Sequence, residues 1–310
     1  MLLAGAGVLA GGRAMAGAVV DLNMSPASRL PPLDQGPYVP PSNLQTVADI
    51  YKRMTAPVMI NGVGPFPFVV DTGANQSVIS EALVVQLGLA RGEEQALNGV
   101  AGVRVTGTTT ATLGIGSRTE ADVQMSILPG EAMGGAGLLG LDRLDAQKLT
   151  LDFRRQTLRI EPGRRAVRDP DGIVLRARRR GGQLTLVDAD LAGVAVTAFL
   201  DSGAQATIGN MALRELAITR SPTSFWTKVP ILSATGQTIQ ADLADLPALR
   251  VGGLHLPNWP VAFADLHTFR IWDLVSHPAI LLGVDVMSRF ERVSLDFSRN
   301  EVTFRLPQGA

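Results

Sequence analysis

The chain has 310 residues, of which 46% are hydrophobic, enough to bury one large core or two smaller ones. Its 28 basic and 28 acidic residues cancel, so no global charge draws it toward nucleic acid or an anionic membrane. It contains no cysteine, which excludes disulfides, thiol chemistry and cysteine-bound metal.

The first sixteen residues resemble a secretory signal peptide. A short apolar stretch, residues 2–10, precedes the small-residue cleavage pattern Ala14-Met15-Ala16, although the usual basic start is missing. We therefore expect residues 1–16 to direct export to the periplasm or outside the cell; a plain Ala/Gly-rich terminus is the alternative. No other run approaches the ~20 apolar residues of a membrane span, so none is predicted.

Residues 24–43 are rich in proline and lack any periodicity. This composition predicts an extended arm or linker over residues 17–48. A second interpretation is a removable or cleft-covering arm of a self-processing precursor.

The next segment predicts a β-hairpin followed by a short helix. Two apolar runs, 58–60 and 66–70, flank the turn pair Asn61-Gly62. The second run leads directly into Asp71-Thr72-Gly73-Ala74. Ser80 then precedes the helical pattern of residues 81–88 and is a good N-cap candidate.

The remainder of the first half predicts further strands. Residues 97–103 contain the glycines of a mobile hairpin tip, and we expect Gly99, Val100, Ala101 and Gly102 to form a substrate-covering flap. Strands are predicted at 106–115 and 121–128. They are followed by Leu138-Leu139-Gly140 and a helix over residues 142–148.

The second half repeats these features in the same order. Asp201-Ser202-Gly203-Ala204 follows the first motif by 130 residues, and Asn210 takes the place of Ser80 before a second helical pattern. Leu281-Leu282-Gly283 repeats the later block. Residues 233–237 are the counterpart of the flap, with a plain β-turn as the equal alternative. The repeat predicts an all-β protein with short helices and homologous halves at 49–165 and 166–310.

Two facing loops of this kind would bring two carboxylates together. A buried strand holds each aspartate on a rigid support, and the following glycine permits a tight turn. Two carboxylates at short range cannot both ionise cheaply, so they share a proton. Such a pair can activate a water and polarise a carbonyl group. The alternative is two ordinary Asp/Gly turns in a duplicated β-protein.

The chain resembles the retropepsin-like aspartyl proteases over about residues 50–306, especially bacterial members with the Asp-Thr-Gly-Ala form. The resemblance implies two β-barrel lobes with a cleft between them, as in pepsin, and a shared proton between the catalytic aspartates. It implies that Asp71 and Asp201 are catalytic. The residues that would support the catalytic loops are Thr72, Gly73, Ala74, Ser202, Gly203 and Ala204. Those that would pack behind them are Leu138, Leu139, Gly140, Leu281, Leu282 and Gly283.

The sequence departs from the family at two places. Retroviral members commonly have Asp after the Ala, where this chain has Asn75 and Gln205. Pepsin-like members carry a flap tyrosine, but the only tyrosines here are Tyr38 and Tyr51. Neither difference removes the two aspartates.

The predicted function is that of an aspartic endopeptidase acting on peptides or proteins without metal or organic cofactor. Because both motifs lie on one chain, a monomer is expected. The alternative is a catalytically silent module that binds peptides.

Several other features are predicted to be structural. Asp142 and Asp285 would cap helices, and Asp152 and Asp296 would make turns. In residues 265–279, Phe269, Ile271, Trp272 and Leu274 would pack as core, with lining of the substrate cleft as the alternative. The basic run at 176–180 predicts a solvated hairpin edge, so no nucleic acid is expected. His255, His267 and His277 have no carboxylate at a known metal-ligand spacing, so no metal site is predicted.

Overall fold

The computed structural model describes residues 42–45, 47–48, 53–143, 147–163, 169–180, 183–220, 226–251 and 253–307. The predicted signal peptide, most of the proline-rich arm and the boundary residues 164–168 lie outside these ranges. The described chain is mostly β-sheet with short helices, as the sequence predicted. None of its helices is long and apolar enough to cross a membrane.

The strands of the first half are β1 Ser42–Gln45, β2 Val47–Ala48, β3 Met54–Ile60, β4 Val63–Val70, β5 Val78–Ser80, β6 Gln95–Gly99, β7 Gly102–Thr106, β8 Thr108–Ile115, β9 Arg118–Leu128, β10 Gly137–Leu139, β11 Gln147–Asp152 and β12 Thr157–Pro162. Those of the second half are β13 Ile173–Arg180, β14 Gln183–Leu191, β15 Val194–Leu200, β16 Ile208–Gly209, β17 Thr227–Leu232, β18 Thr238–Leu246, β19 Leu249–Val251, β20 Leu254–Leu256, β21 Trp259–Phe263, β22 Ala279–Leu282, β23 Arg292–Asp296 and β24 Glu301–Arg305. The helices are α1 Glu81–Leu87, α2 Gly130–Met133, α3 Met211–Arg220, α4 His267–Ile271 and α5 Val284–Met287, with a 3-10 turn at Leu141–Arg143.

The two halves build the same sheet around their Asp motifs. In the first lobe β4 pairs in parallel with β10, β10 antiparallel with β5, and β5 in parallel with β9. In the second lobe β15, β22, β16 and β21 follow the same sequence of pairings. The pairing of β3 with β8 curls the first sheet toward a barrel, and that of β14 with β19 is its counterpart. The duplication read from the sequence is therefore a duplication of topology.

Six strands join the lobes into one sheet in the order β1-β12-β11-β23-β24-β13. Three strands come from each half, and the central pair is antiparallel, with Thr150 opposite Ser294. The two hydroxyl oxygens of this pair lie 3.0 Å apart. β1 falls within the segment assigned to the proline-rich arm, so the end of that segment forms an edge strand of the joint sheet.

Local sequence signals explain most element boundaries. Asn61 and Gly62 both have positive φ, 50° and 78°, as the hairpin turn between β3 and β4 requires. Ser80 and Asn210 cap their helices by accepting from the amides of Leu83 and Leu213. The helix predicted over residues 142–148 is wrong: the described residues form a 3-10 turn at Leu141–Arg143, and Gln147 and Lys148 belong to a strand of the joint sheet.

Candidate active site

Both motif aspartates lie at the ends of buried strands. Asp71 follows β4 and Asp201 follows β15, and each side chain is only 1% exposed. The amide of Asp71 donates to the Leu139 carbonyl and that of Asp201 to the Leu282 carbonyl, both at 3.0 Å. The Leu-Leu-Gly strands β10 and β22 therefore fix the backbone of the two loops.

The hydroxyl residues after the aspartates bind the two loops to each other. The Thr72 amide donates to Ser202 Oγ at 3.1 Å, and the Ser202 amide donates to Thr72 Oγ1 at 3.0 Å. Each hydroxyl also donates to the carbonyl of the residue before the opposite aspartate, Leu200 at 2.8 Å and Val70 at 2.7 Å. These four buried bonds hold the loops face to face across the two lobes.

The glycines of the motifs allow this close approach. A Cβ atom on Gly73 would lie 2.2 Å from Oδ2 of Asp201, and one on Gly203 would lie 2.3 Å from Cγ of Asp71. Real Cβ contacts never come so close, so any side chain here would push the loops apart. Each carboxylate thus lies against the glycine of the opposite loop, and the structure brings the two predicted acids together.

The inner carboxylate oxygens are fixed and the outer ones are not. Oδ1 of Asp71 accepts from the Gly73 amide at 2.9 Å, and Oδ1 of Asp201 accepts from the Gly203 and Ala204 amides at 2.8 and 3.0 Å. Oδ2 of each aspartate is buried and receives no hydrogen bond from a donor in the described part of the chain. The outer oxygens are the atoms left to interact with a proton or a bound molecule.

Burial raises the pKa of both carboxyl groups, and the charge of Asp71 raises that of Asp201 further. Loss of hydration is the largest cause for Asp71, opposed by the Gly73 amide, a hydrogen bond with Asp201 and the Arg53 charge. The pKa of Asp201 is raised well above its ordinary value by loss of hydration and then by the charge of Asp71. In the folded protein the pair therefore keeps a proton to higher pH than free carboxyl groups would.

A second layer of hydrogen bonds supports each loop from behind. Ser77 Oγ accepts from the Gly140 amide at 3.1 Å and donates to Asp142 Oδ1 at 2.8 Å. In the second lobe Thr207 Oγ1 accepts from the Gly283 amide at 3.2 Å and donates to Asp285 Oδ1 at 2.8 Å. The same chain of contacts thus recurs on both sides of the dyad.

This layer corrects the prediction that Asp142 and Asp285 cap helices. The N-cap of α5 is Gly283, and both aspartates instead orient a hydroxyl behind an Asp-Thr/Ser-Gly-Ala loop. Burial is the largest cause of the raised pKa of Asp285. The signal was available in the sequence, because Ser77 and Thr207 recur at equivalent positions together with the two aspartates.

The predicted flap is a closed hairpin in the structure. β6 and β7 pair up to Gly99 and Gly102, and the tip residue Val100 is fully buried. Val100 packs among apolar residues of the second lobe, including Ala204 and Phe269, and its carbonyl accepts from the His267 amide at 2.8 Å. The tip of the first lobe is therefore anchored on the second.

The second-lobe counterpart makes the reciprocal contact. The turn between β17 and β18, residues 233–237, buries Ala234 among first-lobe residues that include Ala74 and Leu97. Arg104 of β7 also donates to the Thr235 carbonyl. Both hairpin tips cross the cleft between the lobes, so the alternative of a plain turn with no relation to the flap does not describe residues 233–237.

Most apolar side chains of the segment 265–279 are core, as predicted, although Val275 is 51% exposed. Phe269, Trp272 and Leu274 are buried in the cluster that receives Val100, and Trp272 stacks on Phe199 with ring centroids 4.4 Å apart. His267 Nε2 lies 2.9 Å from Asn98 Oδ1 of the flap, and burial lowers the pKa of this histidine. The predicted structural turns also occur, since Asp152 accepts from the Arg155 amide and Asp296 from the Ser298 amide.

The sequence reasoning missed one buried charge beside the dyad. Arg53, only 1% exposed, donates to the Gly203 carbonyl at 3.1 Å and to the Met133 carbonyl. It also lines a cavity of about 230 Å³ with Gln205, Ile208, Pro230 and Leu232. A lone arginine before a strand carries no motif, so only the fold reveals its position. No group of three or more acidic or histidine side chains within the described ranges is placed to hold a metal ion.

Comparison with protein families agrees with this geometry. Residues 56–146 match the family described as "gag-polyprotein putative aspartyl protease", and residues 187–286 match the family described as "Aspartyl protease". A search of curated proteins gave no match. Each matched segment contains one Asp-Thr/Ser-Gly-Ala motif and its Leu-Leu-Gly strand. The chain therefore carries two segments that match aspartyl protease families, one in each half, which is consistent with a retropepsin-like protease that has both motifs on a single polypeptide.

Proposed function

We propose that this protein is an aspartic endopeptidase that hydrolyses peptide bonds with a water activated between Asp71 and Asp201. The observation that carries the proposal is the pair of buried carboxylates, each against the glycine of the opposite loop, with both outer oxygens left without a fixed donor. An ionised member of such a pair accepts a proton from water, and a protonated member polarises the scissile carbonyl.

The closed hairpins suggest how a substrate is held. Because the dyad is only 1% exposed beneath them, the hairpins must open before a peptide can enter. An extended peptide under Gly99–Gly102 could then bond to the flap backbone, as in strand addition. The predicted substrate-binding role of Gly99, Val100, Ala101 and Gly102 remains part of this proposal.

The cavity beside the second catalytic loop supports a preference for apolar side chains. Ile208, Pro230, Ile231 and Leu232 contribute an apolar wall to its volume of about 230 Å³. A leucine- or phenylalanine-sized group would replace water in such a site. We propose this cavity as one of the subsites next to the scissile bond.

Export and a monomeric state are also proposals. The signal-like residues 1–16 support the first, and the presence of both motifs on one chain supports the second. Expression of the full chain in a bacterial host, followed by cell fractionation and N-terminal sequencing, tests export and processing of the arm. Light scattering of the purified protein, which gives its molar mass in solution, tests the monomeric state.

Peptide release from a denatured protein mixture over a range of pH tests the peptidase itself. Asp71→Asn and Asp201→Asn should each reduce release about 10²- to 10⁴-fold, the usual contribution of an acid–base group. Asp122→Asn is the matched control, because Asp122 is exposed with a φ of 55° that asparagine tolerates. Tight peptide binding without any release by the wild type would instead identify a silent binding module.

A further inference from the structure

On the basis of the proposed function, we propose that Arg53 makes the two-fold related dyad asymmetric, so that Asp71 is the general base and Asp201 the general acid. Neither motif alone could make this assignment, because the two catalytic loops are nearly identical. The asymmetry comes from a position outside both motifs. Arg53 would act as a positioning residue through its charge, without touching the substrate.

The backbone equivalent of Arg53 in the second lobe is Gln183. In the first hairpin Thr55 pairs with Val69, and in the second Thr185 pairs with Phe199, so the two registers correspond. Arg53 and Gln183 each precede their paired threonine by two residues. The duplication has therefore placed a cation on one side of the dyad and a neutral amide on the other.

The two side chains also have different partners. Gln183 is 3% exposed, and its Nε2 donates to Asn75 Oδ1 of the first catalytic loop at 2.9 Å. Arg53 donates across the lobes to the carbonyl of Gly203 at 3.1 Å. Each side chain donates a hydrogen bond to the catalytic loop of the opposite lobe, but of the two only Arg53 carries a charge.

The Arg53 charge lies on the side of Asp71. Its acceptor belongs to Gly203, the residue whose Cα lies against the Asp71 carboxylate. A nearby cation stabilises an ionised carboxylate, and burial strengthens the effect. Arg53 accordingly lowers the pKa of Asp71, opposing the larger effect of burial, while the charge of Asp71 raises the pKa of Asp201.

Other groups around the dyad do not produce the same asymmetry. Arg104 and His267 interact with Thr235 and Asn98 of the hairpins, and Glu131 is exposed. Asp142 and Asp285 lie behind the two loops in equivalent positions. Within the described residues, an opposing feature is the second backbone amide that Asp201 accepts from, that of Ala204 at 3.0 Å. This amide favours the ionised form of Asp201 and so opposes the effect of Arg53, and the order in which the two carboxyl groups ionise shows which effect prevails.

The assignment defines the proton transfers. Asp71 takes a proton from the water while the water oxygen attacks the carbonyl carbon. Asp201 gives its own proton to the carbonyl oxygen. In the second step Asp71 passes its proton to the amide nitrogen, the C–N bond breaks, and Asp201 recovers a proton from a hydroxyl of the intermediate. The products are a carboxylic acid and an amine, and the dyad returns to its starting protonation state.

Carboxyl ¹³C NMR of the full chain labelled at aspartate Cγ tests the assignment without any substrate. The two resonances are identified by their loss in Asp71→Asn and Asp201→Asn. We expect Asp71 to ionise first as the pH rises, with Asp201 protonated to higher pH. Arg53→Met should move the first ionisation to higher pH, Arg53→Lys should restore it, and Gln183→Met should leave it in place.

Two results would overturn the inference: Asp201 ionising first in the wild type, or a folded Arg53→Met protein with unchanged ionisations. The wild-type titration decides the matter even if Arg53→Met does not fold. Gln183→Arg gives a second check, because it places a cation on the other side of the dyad. Asp201 should then ionise at lower pH, and the difference between the ionisation pH values of Asp71 and Asp201 should become smaller. These outcomes concern protonation alone, so they differ from loss of peptide release, which would count against the proposed function.

Discussion

Burial of the two dyad aspartates lowers the stability of the folded protein at neutral pH. Both carboxyl groups are buried, and the folded state raises the pKa of each above the ordinary value of 3.8. The folded protein therefore binds more protons than the unfolded chain as the pH rises above this value. Stability from these groups is complete below 3.8 and is lost as the pH rises through their folded pKa values.

Asp201→Asn should consequently stabilise the protein at neutral pH. Asparagine keeps an oxygen for the Gly203 and Ala204 amides, carries no charge, and offers an N–H to Asp71. The gain in the free energy of unfolding, measured by urea denaturation, should shrink as the pH falls toward 3.8. Asp122→Asn, at an exposed position, is the control for the substitution itself. A variant less stable than the wild type at pH 7 would contradict the raised pKa.

Residue patterns predicted the parts of the site that depend on nearby sequence. The motif aspartates, the caps Ser80 and Asn210 and the Asn61-Gly62 turn all follow from local chemistry. The roles of Asp142 and Arg53 did not, because their partners lie 65 and 150 residues away along the chain. The contact of Arg53 depends on how the lobes face each other, which no local pattern records. The Ser77–Asp142 contact lies within the first lobe, and only the recurrence of both residues in the second half indicated it.

At the scale of elements, each of the two hairpin tips packs an apolar residue into the opposite lobe. Val100 of the first lobe enters the second-lobe cluster, and Ala234 of the second lobe enters a first-lobe cluster. The glycines at 99 and 102 predicted a hairpin tip, but no local pattern indicated that Val100 at this tip is fully buried. The closed state thus depends on burial at the tips, and opening must break these contacts.

Val100→Ala should make the flap open more often. The substitution removes two methyl groups from a buried contact, a loss of about 1–2 kcal/mol, which corresponds to a roughly 5- to 30-fold change in the opening equilibrium. Hydrogen exchange of the amides in residues 95–106 should accelerate by that factor. Val103→Ala on the same hairpin is the matched control, because Val103 is 51% exposed. Equal exchange in both variants would show that tip burial does not hold the flap closed.

At the scale of the whole molecule, the six-stranded sheet makes the two lobes one unit. Its central strands β11 and β23 come from different halves, and Leu149 and Leu295 are buried opposite each other there. Sequence repetition predicted two lobes but not the six-stranded sheet that joins them. One reason is that its edge strand β1 comes from a proline-rich segment without strand periodicity. The lobes should therefore unfold together.

Leu149→Ala tests this cooperativity. Loss of a fully buried leucine should cost about 2–5 kcal/mol of unfolding free energy. If the lobes unfold together, hydrogen exchange should become faster by the same factor in β4 of the first lobe and in β15 of the second. Val174→Ala, at a position 41% exposed in the same sheet, should have little effect. Faster exchange confined to the first lobe would indicate independent lobes.

The central claim is that one aspartate from each half acts on a single water, and a double-mutant cycle on peptide release tests it most directly. Groups that act as a unit give non-additive losses. We predict that Asp71→Asn, Asp201→Asn and the double variant all lose activity to the same residual level. Additive losses, or substantial release by either single variant, would contradict a shared site.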